Sequence, residues 1–236
     1  MPDPATPDLA IPDLSGRAAP APSAAVPPNG FDFAAARRVM VENQVRTFDV
    51  TDPAVLLALA EVPRERFVPP SLAAFAYSDR HLEVAPGRRL VAPLVVGRML
   101  QALEVGRGER ALSVACGAGY SVALMRHLGA EALGLESEAE AAAGAPAALD
   151  VRVGALDGST LGDEGFDAIL VNGACEVEPA ALLARLSEGG RLVCGLGAVG
   201  AVACFVKAGG IARGRRVFDA PLPLLPEFRK PESFVF

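Results

Sequence analysis

Residues 111–120 read ALSVACGAGY, and the reading of this stretch decides the fold. Ala111–Ala115 is a mostly apolar run of strand length, and Cys116-Gly117-Ala118-Gly119 supplies the small residues of a tight turn. Tyr120 then leads into SVALMRHLG, whose apolar spacing is helical. A strand, a small-residue turn and a helix together point the helix amino end at a bound phosphate, sugar or carboxylate. Gly117 and Gly119 let the backbone pass close to such a ligand.

Downstream, strands and helices alternate. EALGLE (131–136), DVRVG (150–154) and FDAILVNG (166–173) read as strands, and SEAEAAAGAPAAL (137–149) and EPAALLARLSEG (178–189) as helices between and after them. GRLVCGLG (190–197) and AVACFVKAG (201–209) follow as a close pair, joined by a link too short for anything but an antiparallel hairpin. This predicts an α/β fold, a mainly parallel sheet covered on both faces with an antiparallel strand near its carboxyl-terminal end. Upstream, FDFAAARRVMVENQV (31–45), TDPAVLLALAEV (51–62), SLAAFAY (71–77) and PLVVGRMLQAL (93–103) read as helices, with room for short strands within 82–91. Thr51 or Asp52 caps the second of these, with Pro53 at its first position. Residues 1–29 hold eight prolines and are expected to form a flexible tail. The expected division is a tail (1–29), a helical cap and substrate-side segment (30–105), and a Rossmann-like domain with a carboxyl-terminal extension (106–236).

Composition narrows the function classes. Of 236 residues, 51% are hydrophobic and 21% charged, which excludes wholesale disorder. The net charge of −6 and the scattered basic pairs give no track for nucleic acid. Cys116, Cys175, Cys194 and Cys204 form no C-x-x-C pair, and His81 and His127 are the two histidines, so no metal site is expected. Reduced thiols, no apolar run long enough to span a bilayer and no secretory signal point to a soluble cytoplasmic protein.

In open α/β sheets ligands bind beyond the carboxyl ends of the strands, where strand order reverses. Glu136 ends the second strand, where a carboxylate can accept hydrogen bonds from both hydroxyls of a ribose. A nicotinamide dinucleotide loop places a third glycine three residues after the second; Val122 stands there, which favours S-adenosylmethionine. Asn172 ends the fourth strand beside the same crevice, and Cys116 opens the turn.

MVENQVRTFDVTDPAVLLALAEVPRERFVPP (40–70), AYSDRHLEV (76–84), GRRLVAPLVVGRML (87–100) and FDAILVNGACEVEPAALLARLSEGGRLV (166–193) resemble the protein-L-isoaspartate O-methyltransferases. The resemblance covers roughly residues 38–206, and VPRERFVP and AYSD are its most specific pieces. It implies a Rossmann-like class I methyltransferase fold and methyl transfer from S-adenosylmethionine to the α-carboxylate of isoaspartyl residues in damaged proteins. It places Asp79, Arg89 and Val91 on the substrate side, and Cys116, Gly117, Gly119, Glu136, Asp157 and Asn172 around the cofactor.

The chain departs from the family pattern in three places. The family's Thr-Ile-Ser becomes Arg89-Leu90-Val91, and Val91 cannot donate the hydrogen bond by which the serine orients the substrate carboxylate. A lost oriented donor of this kind costs roughly 3–4 kcal/mol of transition-state stabilisation; Arg88 or Arg89 is a candidate replacement clamp on that carboxylate. The acid expected ahead of the glycine turn is Ser113, and Ala115 replaces a glycine, which is tolerable only with negative φ. Leu156 replaces the first glycine of Gly-Asp-Gly ahead of Asp157, which is expected to meet the adenine amine. These departures leave a second expectation, a catalytically degenerate homologue used for binding.

Overall fold

In the computed structural model, which describes residues 30–197 and 200–230, the chain enters its first helix at Asp32. The expected tail, residues 1–29, lies outside the described residues. Asp32 accepts the Ala35 N–H at 2.8 Å, and α1 runs Phe33–Met40. The helix then widens over Val41–Val45, where the Arg46 N–H reaches the Val41 carbonyl. α2 (Pro53–Glu61) is capped by Asp52, whose Oδ1 accepts the Ala54 and Val55 N–H groups. After short 3₁₀ turns at Arg64–Phe67 and Pro70–Phe75 comes a hairpin of β1 (Leu82–Ala85) and β2 (Arg88–Leu90), then α3 (Pro93–Leu103).

From β3 (Arg110–Val114) onward the expected alternation holds: α4 (Tyr120–His127), β4 (Glu131–Glu136), α5 (Ala139–Ala142), β5 (Val151–Val153), β6 (Phe166–Cys175), α6 (Ala180–Ala184), β7 (Leu186–Leu196), β8 (Ala201–Ala208) and β9 (Ile211–Asp219). One seven-stranded sheet has the order β5-β4-β3-β6-β7-β8-β9, parallel from β5 to β7 and antiparallel at β7–β8 and β8–β9. Alternate residues serve opposite layers. Ala111, Ala168, Leu170 and Val193 join the cluster that includes α3 and α4, while Leu112, Val114, Ile169 and Val171 join the cluster beneath α6. Burial on both faces is why these strands read as nearly continuous apolar runs.

Three elements after β4 differ from expectation. The helix expected over 137–149 closes after Ala142, because Gly144 and Pro146 interrupt it. The helix expected over 178–189 ends at Ala184, and β7 already begins at Leu186, its pairing with β6 jumping from Leu186 to Arg191. β9 was not expected at all. It is a charged edge strand, and a Cβ at Gly214 would sit 2.6 Å from the Phe205 ring, so glycine is required where β9 crosses it.

The chain from β3 turns to β4 on one side and to β6 on the other, so the crevice lies beyond the carboxyl ends of these three strands. A strap follows β9 across this end. The Ala174 N–H donates to the Pro223 carbonyl at 2.8 Å, Leu225 N–H to Ala174 at 3.0 Å, and Glu176 N–H to Phe228 at 2.9 Å.

Candidate functional site

The glycine turn after β3 is left-handed at three positions: Ala115 at φ 53°, Gly117 at 54° and Gly119 at 91°. Gly119 is required twice over, since a Cβ there would also lie 3.1 Å from Leu149 and Val151 side-chain carbons. The expectation that Ala115 keeps negative φ is corrected. The chain reverses out of β3 at this residue, and a non-glycine there bears about 1–2 kcal/mol of strain. Ser113, fully buried, does not leave a gap in place of the expected acid. Its Oγ lies 2.6 Å from Ser121 Oγ and accepts the Asn172 Nδ2–H at 2.9 Å, while Asn172 also donates to the Val114 carbonyl. A neutral network thus ties β3, α4 and β6 together just below the crevice.

Glu136, at the tip of β4, is 0% exposed. Its Oε2 accepts the Gly117 N–H at 2.8 Å; its Oε1 accepts Arg88 Nε–H at 2.8 Å and the N–H groups of Ser137 at 2.8 Å and Glu138 at 3.2 Å. Arg88 reaches in from β2, and its Nη2 donates to Ser137 Oγ at 2.8 Å and to Glu227 Oε1, on the strap, at 3.0 Å. Ser137 Oγ–H also donates to Glu227 at 2.7 Å. Burial pushes the Glu227 carboxyl up, but the bonds from Ser137, its own main chain and Arg88 outweigh it and hold it below the ordinary range. β1 lies over the turn as well, with Val84 Cγ2 3.8 Å from where a Gly117 Cβ would be.

The other candidates are dispersed. Val91 is 2% exposed, its side chain in the core and its carbonyl held by Arg64 Nη2 at 2.7 Å. Arg89 is exposed and pairs with Glu83 across the hairpin at 3.5 Å. Asp79 is exposed on the loop before β1. Asp157 is exposed and accepts the Ser159 N–H, which lowers its pKa; it lines an open hollow with Glu164 and Arg185 beside the amino ends of β6 and β7. Cys116 is buried, and burial followed by the Glu136 charge pushes its thiol far up, so it stays protonated. The reading of Cys116, Gly117, Gly119, Glu136 and Asn172 as neighbours at the strand tips matches their placement; Asp157 and Arg89 do not join them.

The two specific motifs turn out to build the floor under the hairpin. Arg64 of VPRERF donates to the Ala76 and Val91 carbonyls at 2.7 Å each and lies 4.8 Å over the Tyr120 ring. Tyr77 of AYSD donates to Glu65 and accepts from Arg37 Nε at 2.8 Å. Sequence reading missed Ser121, Ser137 and Glu227, and weighed Arg88 only for a substrate carboxylate. The one available signal for Arg88 was a charged residue directly after the hairpin's Pro86-Gly87 turn, which names no partner.

The glycine turn fits the expected cofactor, and the acid does not in this conformation. Glu136 is fully buried, and both its oxygens already accept hydrogen bonds, Oε1 from the Arg88 guanidinium among others. Among the described residues no cluster of metal-ligating side chains occurs.

A parallel sheet covered on both faces, with antiparallel strands at one edge and a glycine turn and an acid at adjacent strand tips, is a Rossmann-like α/β fold of the kind that class I methyltransferases have. Two solved structures share it. A Plasmodium falciparum structure described as a protein-L-isoaspartate O-methyltransferase in complex with S-adenosyl-L-homocysteine has a TM-score of 0.71 at 19% identity, over 81% of this chain and 98% of that one. A second protein-L-isoaspartate O-methyltransferase has a TM-score of 0.66 at 18% identity, over 82% of this chain and 66% of that one. The sequence decides the family. The model of the Protein-L-isoaspartate(D-aspartate) O-methyltransferase (PCMT) family matches residues 35–210. The protein-L-isoaspartate O-methyltransferase of Methylorubrum extorquens (strain PA1) is 40% identical over 196 residues, 79% of this chain and 83% of the relative; an Anaeromyxobacter sp. (strain Fw109-5) relative is 38% identical over 80% and 82%. The chain belongs to the protein-L-isoaspartate O-methyltransferase family.

Proposed function

We propose that this protein transfers a methyl group from S-adenosylmethionine to the α-carboxylate of L-isoaspartyl residues in proteins. The observation that carries the reading is the glycine turn and Glu136 meeting at the switch point of the sheet, in a chain matched by the family over residues 35–210. When bound, the cofactor supplies an electrophilic methyl group on a sulfonium. The acceptor carboxylate is ionised at neutral pH, so no basic residue is needed, and the protein's task is alignment and exclusion of water. Gly117 and Gly119 allow close backbone approach, Glu136 is the ribose acceptor once freed, and Cys116 and Asn172 wall the crevice. The resemblance also assigns Asp157 to the adenine amine, but it faces the hollow beside the amino ends of β6 and β7 and is given no part here. Asp79 and Arg89 are the exposed charges on the substrate side, and Val91 stands where the family's serine would be.

The substrates are isoaspartyl-bearing proteins rather than nucleic acid, in keeping with a net charge of −6. The cytoplasm is the proposed location, supported by four buried free cysteines; no helix among the described residues is long and apolar enough to cross a membrane. One observation favours a catalytically degenerate homologue instead: Val91 offers a buried hydrocarbon where an oriented hydroxyl belongs.

The deciding experiment is radiolabelled methyl transfer to an isoaspartyl peptide beside a whole lysate. Label on the peptide supports the proposal. Label on neither, together with no melting shift in excess S-adenosylhomocysteine, overturns it, since ligand at 100 times its Kd adds about 2.7 kcal/mol of stability.

A further inference from the structure

The conflict at Glu136 has a specific author in the sequence, Arg88. We infer that Arg88 is an internal competitor for the cofactor: its guanidinium holds the place on Glu136 that a ribose would take, so cofactor enters only when the β1–β2 hairpin withdraws. This rests on Glu136 being the ribose acceptor.

Four features of the structure support a closed gate over a lost site. The hairpin strands pair with each other and with no strand of the seven-stranded sheet, and their register is broken between Glu83 and Ala85. The hairpin can therefore leave without disturbing a ladder of the main sheet. Its base is held through main-chain groups and its tip through the Arg88 side chain: Arg64 grips the Val91 carbonyl and the Ala92 N–H donates to His81 Nδ1 at 3.1 Å, whereas Arg88, next to the turn, bonds Glu136, Ser137 and Glu227. The moving part is thus 82–90, the segment that carries both Arg88 and Val84. Next, Glu136 keeps the N–H groups of Gly117, Ser137 and Glu138 when Arg88 departs, so opening does not strand a bare buried carboxylate. Finally, Arg88 Nη1 has no partner among the described residues, so the closed state buries an unsatisfied charged donor that opening returns to water.

The latch is held from outside by Glu227, whose side chain is 30% exposed on the strap. Arg88 and the ribose compete for one carboxylate, so the apparent affinity is the open-state affinity scaled by the open fraction. Reciprocally, bound cofactor must expel the hairpin.

The test is calorimetric titration of the full chain with S-adenosylhomocysteine, for the wild type, Arg88→Gln and Glu227→Gln. Arg88→Gln is expected to tighten binding by about tenfold or more, and Glu227→Gln, which loosens only the outer anchor, by a smaller factor. In the wild type, added ligand is expected to raise amide exchange over 82–90 while lowering it over 115–119. If Arg88→Gln fails to fold, Glu227→Gln and the exchange measurement decide. Wild-type binding that neither substitution tightens, or a hairpin that ligand protects, overturns the gate and leaves the proposed function standing. No binding by any of the three overturns both.

Discussion

Two arginines are buried around the hairpin, and the regions that hold them are built on opposite principles. Arg64, 0% exposed, has no carboxylate: its partners are the Ala76 and Val91 carbonyls and the face of Tyr120, itself tilted against Phe67 at 5.4 Å between ring centroids. Burial pushes its pKa below the ordinary value, the sign of a charge held by dipoles alone. Arg88, 2% exposed, has two carboxylates and a hydroxyl. Arg64 satisfies main-chain carbonyls, whereas Arg88 sits on the carboxylate we propose as the ribose acceptor. One region is fixed by its arginine; the other is filled by it.

The sharpest way to break that contrast is substitution. Arg64→Ala leaves two buried carbonyls unpaired and a cavity under Tyr120, and is expected to lower unfolding free energy by about 3–5 kcal/mol. A urea midpoint equivalent to under 1 kcal/mol of loss would show that the floor does not depend on it. Arg88→Gln is expected to cost less, about 1–3 kcal/mol, because three main-chain N–H groups stay on Glu136. A larger loss for Arg88 than for Arg64 would make Arg88 the structural arginine and reverse the assignment.

The glycine turn offers a smaller and opposite effect. Ala115→Gly removes the left-handed strain at φ 53° and is expected to stabilise the fold by about 1 kcal/mol, read as a raised thermal midpoint. A fall would mean that its Cβ contributes more packing among Val114, Leu135 and their neighbours than its backbone costs.

That residue also marks where sequence reading stopped. β3, β4 and β6 were legible because burial on both faces leaves apolar runs, and Gly119 because two side chains and a positive φ exclude every other residue there. Glu136 was legible as the acid that ends β4. Its partner was not: Arg88 lies 48 positions away, and no periodicity encodes a pairing across that distance. β9 failed for a different reason, since an edge strand needs main-chain partners on one side and tolerates Arg213, Arg215 and Arg216 on its surface. Ser113 stands where an acid is expected, and only the fold reveals Ser121 and Asn172 as its hydrogen-bond partners.

The smallest effect lies at the seam between the two regions. His81 joins the hairpin base to the strap, its Nε2 2.9 Å from the Pro221 carbonyl and its Nδ1 accepting the Ala92 N–H. These partners require a proton on Nε2 and none on Nδ1, an assignment made from the hydrogen-bond network. Burial pushes its pKa below the ordinary value of 6.5, aided by the Arg64 and Arg89 charges and opposed by the Pro221 bond and Asp79. Below pH 6.5 the unfolded chain therefore takes up a proton that the folded chain refuses. Stability from this group is complete above that pH and declines as pH falls toward the lower, folded value. Thermal midpoints at pH 7.5 and 5.5 are expected to differ more for the wild type than for His81→Gln, and amide exchange over 220–225 is expected to rise on acidification in the wild type. Equal pH dependence in both proteins would place the acid sensitivity elsewhere.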